Sequence, residues 1–189
     1  MTIFKTHTLD TAPEKSKPLL DQSLKAFGRI PGLYGVLAEA PKALEAYQTL
    51  GALFKDTSLT TNEQHVVWLT INYENDCGYC VPAHTGLAKL DAVPNDIIEA
   101  LRNGTPMTDS KLEALRTFTI RVVQKRGWVT DDDVQAFLDA GYTQRHILEV
   151  IVGMAHKVIS NYTNHIAKTP VDAVFKKFAW EKPSSVKAA

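Results

Sequence analysis

Cys77 and Cys80 are the two cysteines of the chain, with two residues between them, and His84 follows four positions after the second. On a helix, positions three and four apart share a face, so two thiols and an imidazole would stand in one stripe over about two turns. A dithiol this close in sequence closes to a disulfide and reopens, and its thiolate is the species that attacks a peroxide or another disulfide. These residue types in this order point to cysteine-based redox chemistry. Two other arrangements compete. One is a zinc site of Cys77, Cys80, His84 and a fourth ligand such as His65 or Glu63, although zinc sites usually carry a second close ligand pair and none is present. The other is a pair of small buried apolar residues. Which sulfur reacts first stays open on these grounds, because Cys77 lies nearer the helix start, where the dipole lowers a thiol pKa, and Cys80 lies nearer His84.

The elements around this stripe read as helices. Thr60-x-x-Glu63 matches a capping box that opens a helix carrying Val66, Val67, Trp68, Leu69 and Ile71, and that role by itself accounts for Glu63. A straight helix from Glu63 to Cys77 would separate the two by roughly 21 Å, so a reversal near residues 74–76 is required. An antiparallel pair would then bring Glu63 toward His84. Upstream, Leu19, Leu20, Leu24 and Phe27 fall at helical spacing before Gly28, and two further apolar stripes cover residues 33–40 and 43–54. Downstream, Pro94, Thr108 and Thr130 open helices that close at Gly104, Gly127 and Gly141. The last long helix follows Thr143 and is apolar on more than one side, as a buried central or interface helix would be, and Pro170 precedes a short tail helix with Val174, Phe175 and Phe178. No stretch alternates with a period of two, so the fold class is all-α. Residues 60–101 and 108–167 share a coarse plan, with too few identities to establish a repeat.

With 189 residues, 44% apolar, the chain is long enough for one buried core, and 21 basic against 21 acidic residues gives no field to gather nucleic acid or an anionic membrane. The expected organisation is an N-terminal arm over 1–18, one helical domain over 19–180 and a flexible tail over 181–189. The polar start lacks a signal-peptide profile and no apolar run is long enough to span a bilayer, so a cytoplasmic protein is expected, with no nucleic-acid or membrane partner. In a reducing compartment, two cysteines at redox spacing serve catalysis or metal binding rather than a permanent bridge.

The order Glu63, thirteen residues, Cys77-x-x-Cys80, three residues, His84 resembles the active-site motif of AhpD-like proteins in the carboxymuconolactone decarboxylase family. Asn72-Tyr73-Glu74, residues 121–127, residues 137–142 and residues 160–165 extend the likeness over most of the chain. The resemblance implies an AhpD-like helical domain with a helix-hairpin CxxC core, assembling as a homo-oligomer, a trimer or hexamer, with alkylhydroperoxidase activity. It implies Cys80 as the peroxidatic thiol, Cys77 as the resolving thiol, and Glu63 with His84 as a proton relay. The substrate would be a hydroperoxide, the electron source a dithiol or protein reductant, and neither cofactor nor metal is called for. The better-known peroxidases of this type carry a histidine between the cysteines, where this chain has Gly78 and Tyr79. A thiol-disulfide exchanger or redox sensor is the alternative function. Lactone decarboxylation or isomerisation ranks lower, because family members with that activity generally lack the dithiol. His65 is a secondary candidate, Trp68, Tyr73 and Tyr79 are candidates for pocket walls, and His165, Asn161 and Tyr162 read as a buried polar network.

Overall fold

The computed structural model describes residues 3–183, so the first two residues of the expected arm and residues 184–189 of the expected tail lie outside the described residues. Among the described residues all regular structure is helical: α1 Lys17–Phe27, α2 Gly32–Leu37, α3 Pro41–Lys55, α4 Thr61–Glu74, α5 Cys80–Leu90, α6 Asn95–Asn103, α7 Ser110–Gln124, α8 Asp131–Asp139 and α9 Gln144–Ala167, with 3-10 turns at Glu14–Ser16 and Ala173–Phe178. None of these helices is long and apolar enough to cross a membrane.

The central element is α4. Every residue from Glu63 to Asn72 is buried, and α5, α6, α7 and α9 all pack on it. Both halves of its capping box form: Glu63 Oε2 accepts from the Thr60 amide at 2.8 Å, and Thr60 Oγ1 accepts from the Glu63 amide at 3.4 Å. The expected reversal falls at Asp76, whose φ of 52° lies in the left-handed region. Cys77 then sits in the turn ahead of α5 rather than on it, so the stripe of three residues on one helix is corrected: only Cys80 and His84 share α5.

Helix α9 is two-sided in an unusual sense. From its middle onward the buried face is polar, with His156, Lys157, Ser160, Asn161 and Asn164 inside, while Leu148, Ile151, Tyr162 and Ile166 are exposed along its outer side. The central helix of this chain is therefore α4, and α9 is apolar on its exposed side. Close approach of α9 to the core depends on Gly153, where a Cβ would lie 2.6 Å from Phe54 Cε2 and 2.9 Å from Val67 Cγ1. That contact sets the depth at which the polar face of α9 meets the start of α5.

The described segments before α1 and after α9 both pack on the chain's own helices. The N-terminal stretch lies along α2: the His7 amide bonds the Gly35 carbonyl at 3.0 Å, His7 Nε2 meets Glu39 Oε2 at 2.6 Å, and Ser16 Oγ donates to the Ala38 carbonyl at 2.6 Å. After α9, Asp172 accepts from the Gly32 amide, the Arg29 guanidinium and the Tyr79 hydroxyl, at 3.0, 3.1 and 2.8 Å. Phe175 is buried beside Gly86 of α5.

Candidate functional site

Cys80 opens α5, where the unpaired amides of a helix N-terminus favour a thiolate. Its own amide donates to Cys77 Sγ at 3.3 Å, which holds the two sulfurs on one helix end. Both thiols are free and buried, Cys77 fully and Cys80 with 2% of its surface exposed. Asn164 of α9 donates from Nδ2 to Cys80 Sγ at 3.3 Å. One turn earlier on α9, Asn161 is held in a polar seam, its Nδ2 donating to Asn72 Oδ1 and its Oδ1 accepting from Asn75 Nδ2, each at 2.8 Å. The buried network read from Asn161 is thus real, while His165 and Tyr162 face outward.

Lys157, one helical turn before Asn161 and Ser160, is wholly buried, and its Nζ lies 2.6 Å from His84 Nε2. An ammonium only donates, so Nε2 accepts and the ring proton sits on Nδ1. Burial first, then the Lys157 charge, holds the His84 imidazole well below its ordinary pKa, so the ring is neutral. Lys157 is itself lowered to about 8 by burial, against the pull of Cys80 and Cys77, which favour its charged form. For Cys80, burial pushes upward, yet the Cys77 hydrogen bond, the Lys157 charge and the Asn164 and Asn161 amides outweigh it and bring the thiol down to about 6. Cys77 moves the other way, raised first by its hydrogen bond to Cys80 and then by burial, and stays protonated. These shifts favour Cys80 as the thiolate and Cys77 as the hydrogen-bond donor beside it.

The expected relay of Glu63 and His84 is not formed. Glu63 belongs to its cap and to the opposite side of the core, where Tyr142 donates to Oε1 at 3.0 Å and Lys111 lies 3.7 Å away. The side chain that shares a wall with His84 is His65, two residues on and therefore turned by roughly 200° around α4. His65 is buried to 1% exposure, and its Nε2 bonds Asp91 Oδ2 at 2.8 Å, so its place is interior and not the surface. Among the described residues no three His, Cys, Asp or Glu side chains converge as a candidate ion site.

Two cavities meet at this site. A small one of about 100 Å³ is lined by Cys80, Tyr79, Lys157 and His84. A larger one of about 280 Å³ has Trp68, His65, His84 and His156 among its walls, and the two share Tyr34 and Tyr47. Trp68 is the hub, with the His84, His65 and His156 rings 5.1, 5.6 and 5.8 Å from its own. Tyr79 lines the small cavity as expected, and its hydroxyl is committed to Asp172 and the Leu33 amide. Tyr73 does not reach either cavity and packs on Trp180. Lys157 and His156 are the residues at the site that motif reading missed. For Lys157 the signal was its helical spacing with the polar residues at 160, 161 and 164.

Residues 38–119 match the carboxymuconolactone decarboxylase family. Among curated proteins none matches the chain by sequence. Among solved structures, the chain is similar to an AhpD-core, uncharacterised peroxidase-related protein from Ralstonia eutropha JMP134, with 19% identity, a TM-score of 0.81 and coverage of 92% of this chain and 94% of that one. A second peroxidase-related protein, from Silicibacter sp. TM1040, superposes with a TM-score of 0.75 at 16% identity, over 92% and 94% of the two chains. The debrominase Bmp8 in its apo form superposes with a TM-score of 0.77 at 14% identity, over 94% and 96%. These likenesses establish a shared fold.

The electrostatics give a direct expectation. Alkylation of Cys80 by iodoacetamide, mapped by peptide mass spectrometry, rises with pH through an inflection near 6. In Lys157→Met the inflection moves upward and the rate at neutral pH falls about tenfold or more, since an unperturbed thiol is only a few per cent ionised there. Glu63→Gln leaves the profile in place. An unmoved inflection in Lys157→Met contradicts the assignment.

Proposed function

From the match of residues 38–119 to the carboxymuconolactone decarboxylase family and the fold shared with an AhpD-core protein, we propose that this chain is an AhpD-like member of that family and a thiol-dependent peroxidase that reduces organic hydroperoxides through a Cys80 and Cys77 disulfide cycle. The observation that carries the proposal is a buried thiol favoured as thiolate, with a protonated second thiol in hydrogen-bond contact and a cavity at its side. The Cys80 thiolate attacks the terminal oxygen of the hydroperoxide, the O–O bond breaks, and the sulfur becomes a sulfenic acid as an alkoxide leaves. The Lys157 ammonium supplies the alkoxide with its proton. Cys77 then displaces hydroxide from the sulfenic sulfur, giving the disulfide and water. A dithiol reductant returns two electrons and two protons, and the proton on Cys80 passes back to Lys157.

His84 has a different role from the base first expected. Its Nε2 holds Lys157 in place, and its neutrality keeps a second positive charge away from the ammonium. The burial of both sulfurs favours a small peroxide entering by the cavity over disulfide exchange with a folded partner protein.

We also propose that the exposed apolar side of α9, with Leu148, Ile151, Tyr162 and Ile166, packs against a second copy of the chain in a homo-oligomer. Light scattering of the purified protein then gives a multiple of the 20.9 kDa chain mass, and a monomer that persists at high concentration overturns this part.

Brief treatment with hydroperoxide, followed by mass spectrometry, tests the chemistry. The expected product is the chain less two protons, with turnover sustained by a dithiol and abolished in Cys80→Ser. Undiminished turnover by that variant overturns the proposal, and one round of oxidation without turnover leaves a redox sensor in its place.

A further inference from the structure

The larger chamber takes no part in the thiol chemistry, yet five of the nine buried side-chain atoms without a partner among the described residues belong to side chains that line it. Gln48 Oε1, His65 Nδ1, Trp68 Nε1, His84 Nδ1 and His156 Nδ1 are all buried without a hydrogen-bond partner, and all five side chains line this one cavity. Buried polar groups are rarely left unpaired, and five around one cavity, from α3, α4, α5 and α9, mark a place built for a polar group to join them. We infer that this chamber binds the organic portion of the substrate, and that this portion is a small, uncharged aromatic group next to a hydroxyl or hydroperoxy function. The inference rests on the peroxidase reading for the identity of the reacting end, and on the chamber itself for the rest.

The aromatic character follows from the walls. Tyr34, Tyr47 and Trp68 face the cavity with the His84 and His156 rings, and His156 stacks on Tyr47 at 4.3 Å. Such surfaces favour a flat π-system by stacked or edge contacts. The volume of about 280 Å³ compares with roughly 150 Å³ for a cavity that takes benzene, so one or two rings fit.

Hydrogen-bond polarity fixes the function beside the ring. His65 gives its Nε2 proton to Asp91, so Nδ1 is an acceptor; Gln48 spends its amide on the Leu19 carbonyl and Ser23 hydroxyl, so Oε1 is another. Trp68 Nε1 and His84 Nδ1 are donors. A group that both donates and accepts matches this mixture, and a hydroxyl or hydroperoxy group does both. Charge is disfavoured: His84 and His156 are held neutral by burial, and the two charged residues lining the cavity, Lys55 and Asp91, are opposite in sign. A carboxylate or ammonium would be desolvated here without a net counter-charge. Both cavities share Tyr34, Tyr47 and His84, so the chamber lies beside the Cys80 cavity with the His84 ring between them.

The test uses cumyl alcohol, the product expected from cumene hydroperoxide, with Cys80→Ser protein so that binding is read without turnover. Calorimetry gives saturable binding at one site, and the indole N–H resonance of Trp68 shifts on titration. Affinity for tert-butanol, which has the hydroxyl and no ring, is at least about tenfold weaker. Gly51→Val in the same background weakens cumyl alcohol by a similar factor, because a Cβ at Gly51 already lies 3.1 Å from His156 Nε2 and the added methyls enter the chamber. Ala52→Leu, on an exposed part of the same wall, replaces it if that variant does not fold. Absent binding, equal affinity for tert-butanol, or binding indifferent to the blocking substitution overturns the inference. Cumyl alcohol binding by a protein that turns over no hydroperoxide supports the chamber and removes the peroxidase reading alone.

Discussion

An ammonium group taken out of water into an apolar core costs several kcal/mol unless something nearby answers its charge. Among the described residues Lys157 meets no carboxylate; its contacts are a neutral imidazole nitrogen, the Tyr47 ring face at 5.9 Å and the field of two sulfurs. Negative charge on one of the sulfurs stabilises the ammonium there, and the hydrogen bonds from Cys77, Asn164 and Asn161 favour Cys80 to carry it. Lysine and thiolate thus each remove the reason the other would be expelled from the interior. The polar seam of α9, the turn before α5 and the close approach at Gly153 all serve to keep these two groups side by side.

The architecture inverts the usual plan of a surface helix. Over its second half α9 turns polar side chains inward and apolar ones outward, which is unfavourable for an isolated chain unless the inner residues do chemistry and the outer ones are covered. Helix α4 supplies the opposite: a rod buried on every side, against which the thiol turn and the polar face of α9 are both registered. A reactive dithiol needs a fixed partner more than it needs exposure, and a helical scaffold with a central buried rod provides that.

Much of this was legible in the sequence. Helix ends announced themselves through Thr60, Thr130, Gly28 and Gly104, and the cysteine spacing with His84 pointed to the site and to the fold. The face of α4 was not legible. Because that helix is apolar or buried around its whole circumference, periodicity does not say which side meets α5, and Glu63 was favoured over His65 on motif order alone. Two residues along a helix is slightly more than half a turn, so Glu63 and His65 point to different sides of α4. Lys157 was missed for a different reason: a lysine in a helix is ordinarily a solvated residue, and only its register with Ser160, Asn161 and Asn164 marks it as interior.

Everything in the proposed chemistry follows from charge on one sulfur. The most direct measurement is a pH titration of thiolate ultraviolet absorbance on the reduced, wild-type protein. The account predicts that one thiol per chain ionises with a midpoint near 6, and that the second stays protonated well into the alkaline range. Two thiols that titrate together at or above the ordinary value of about 8.5 would contradict it.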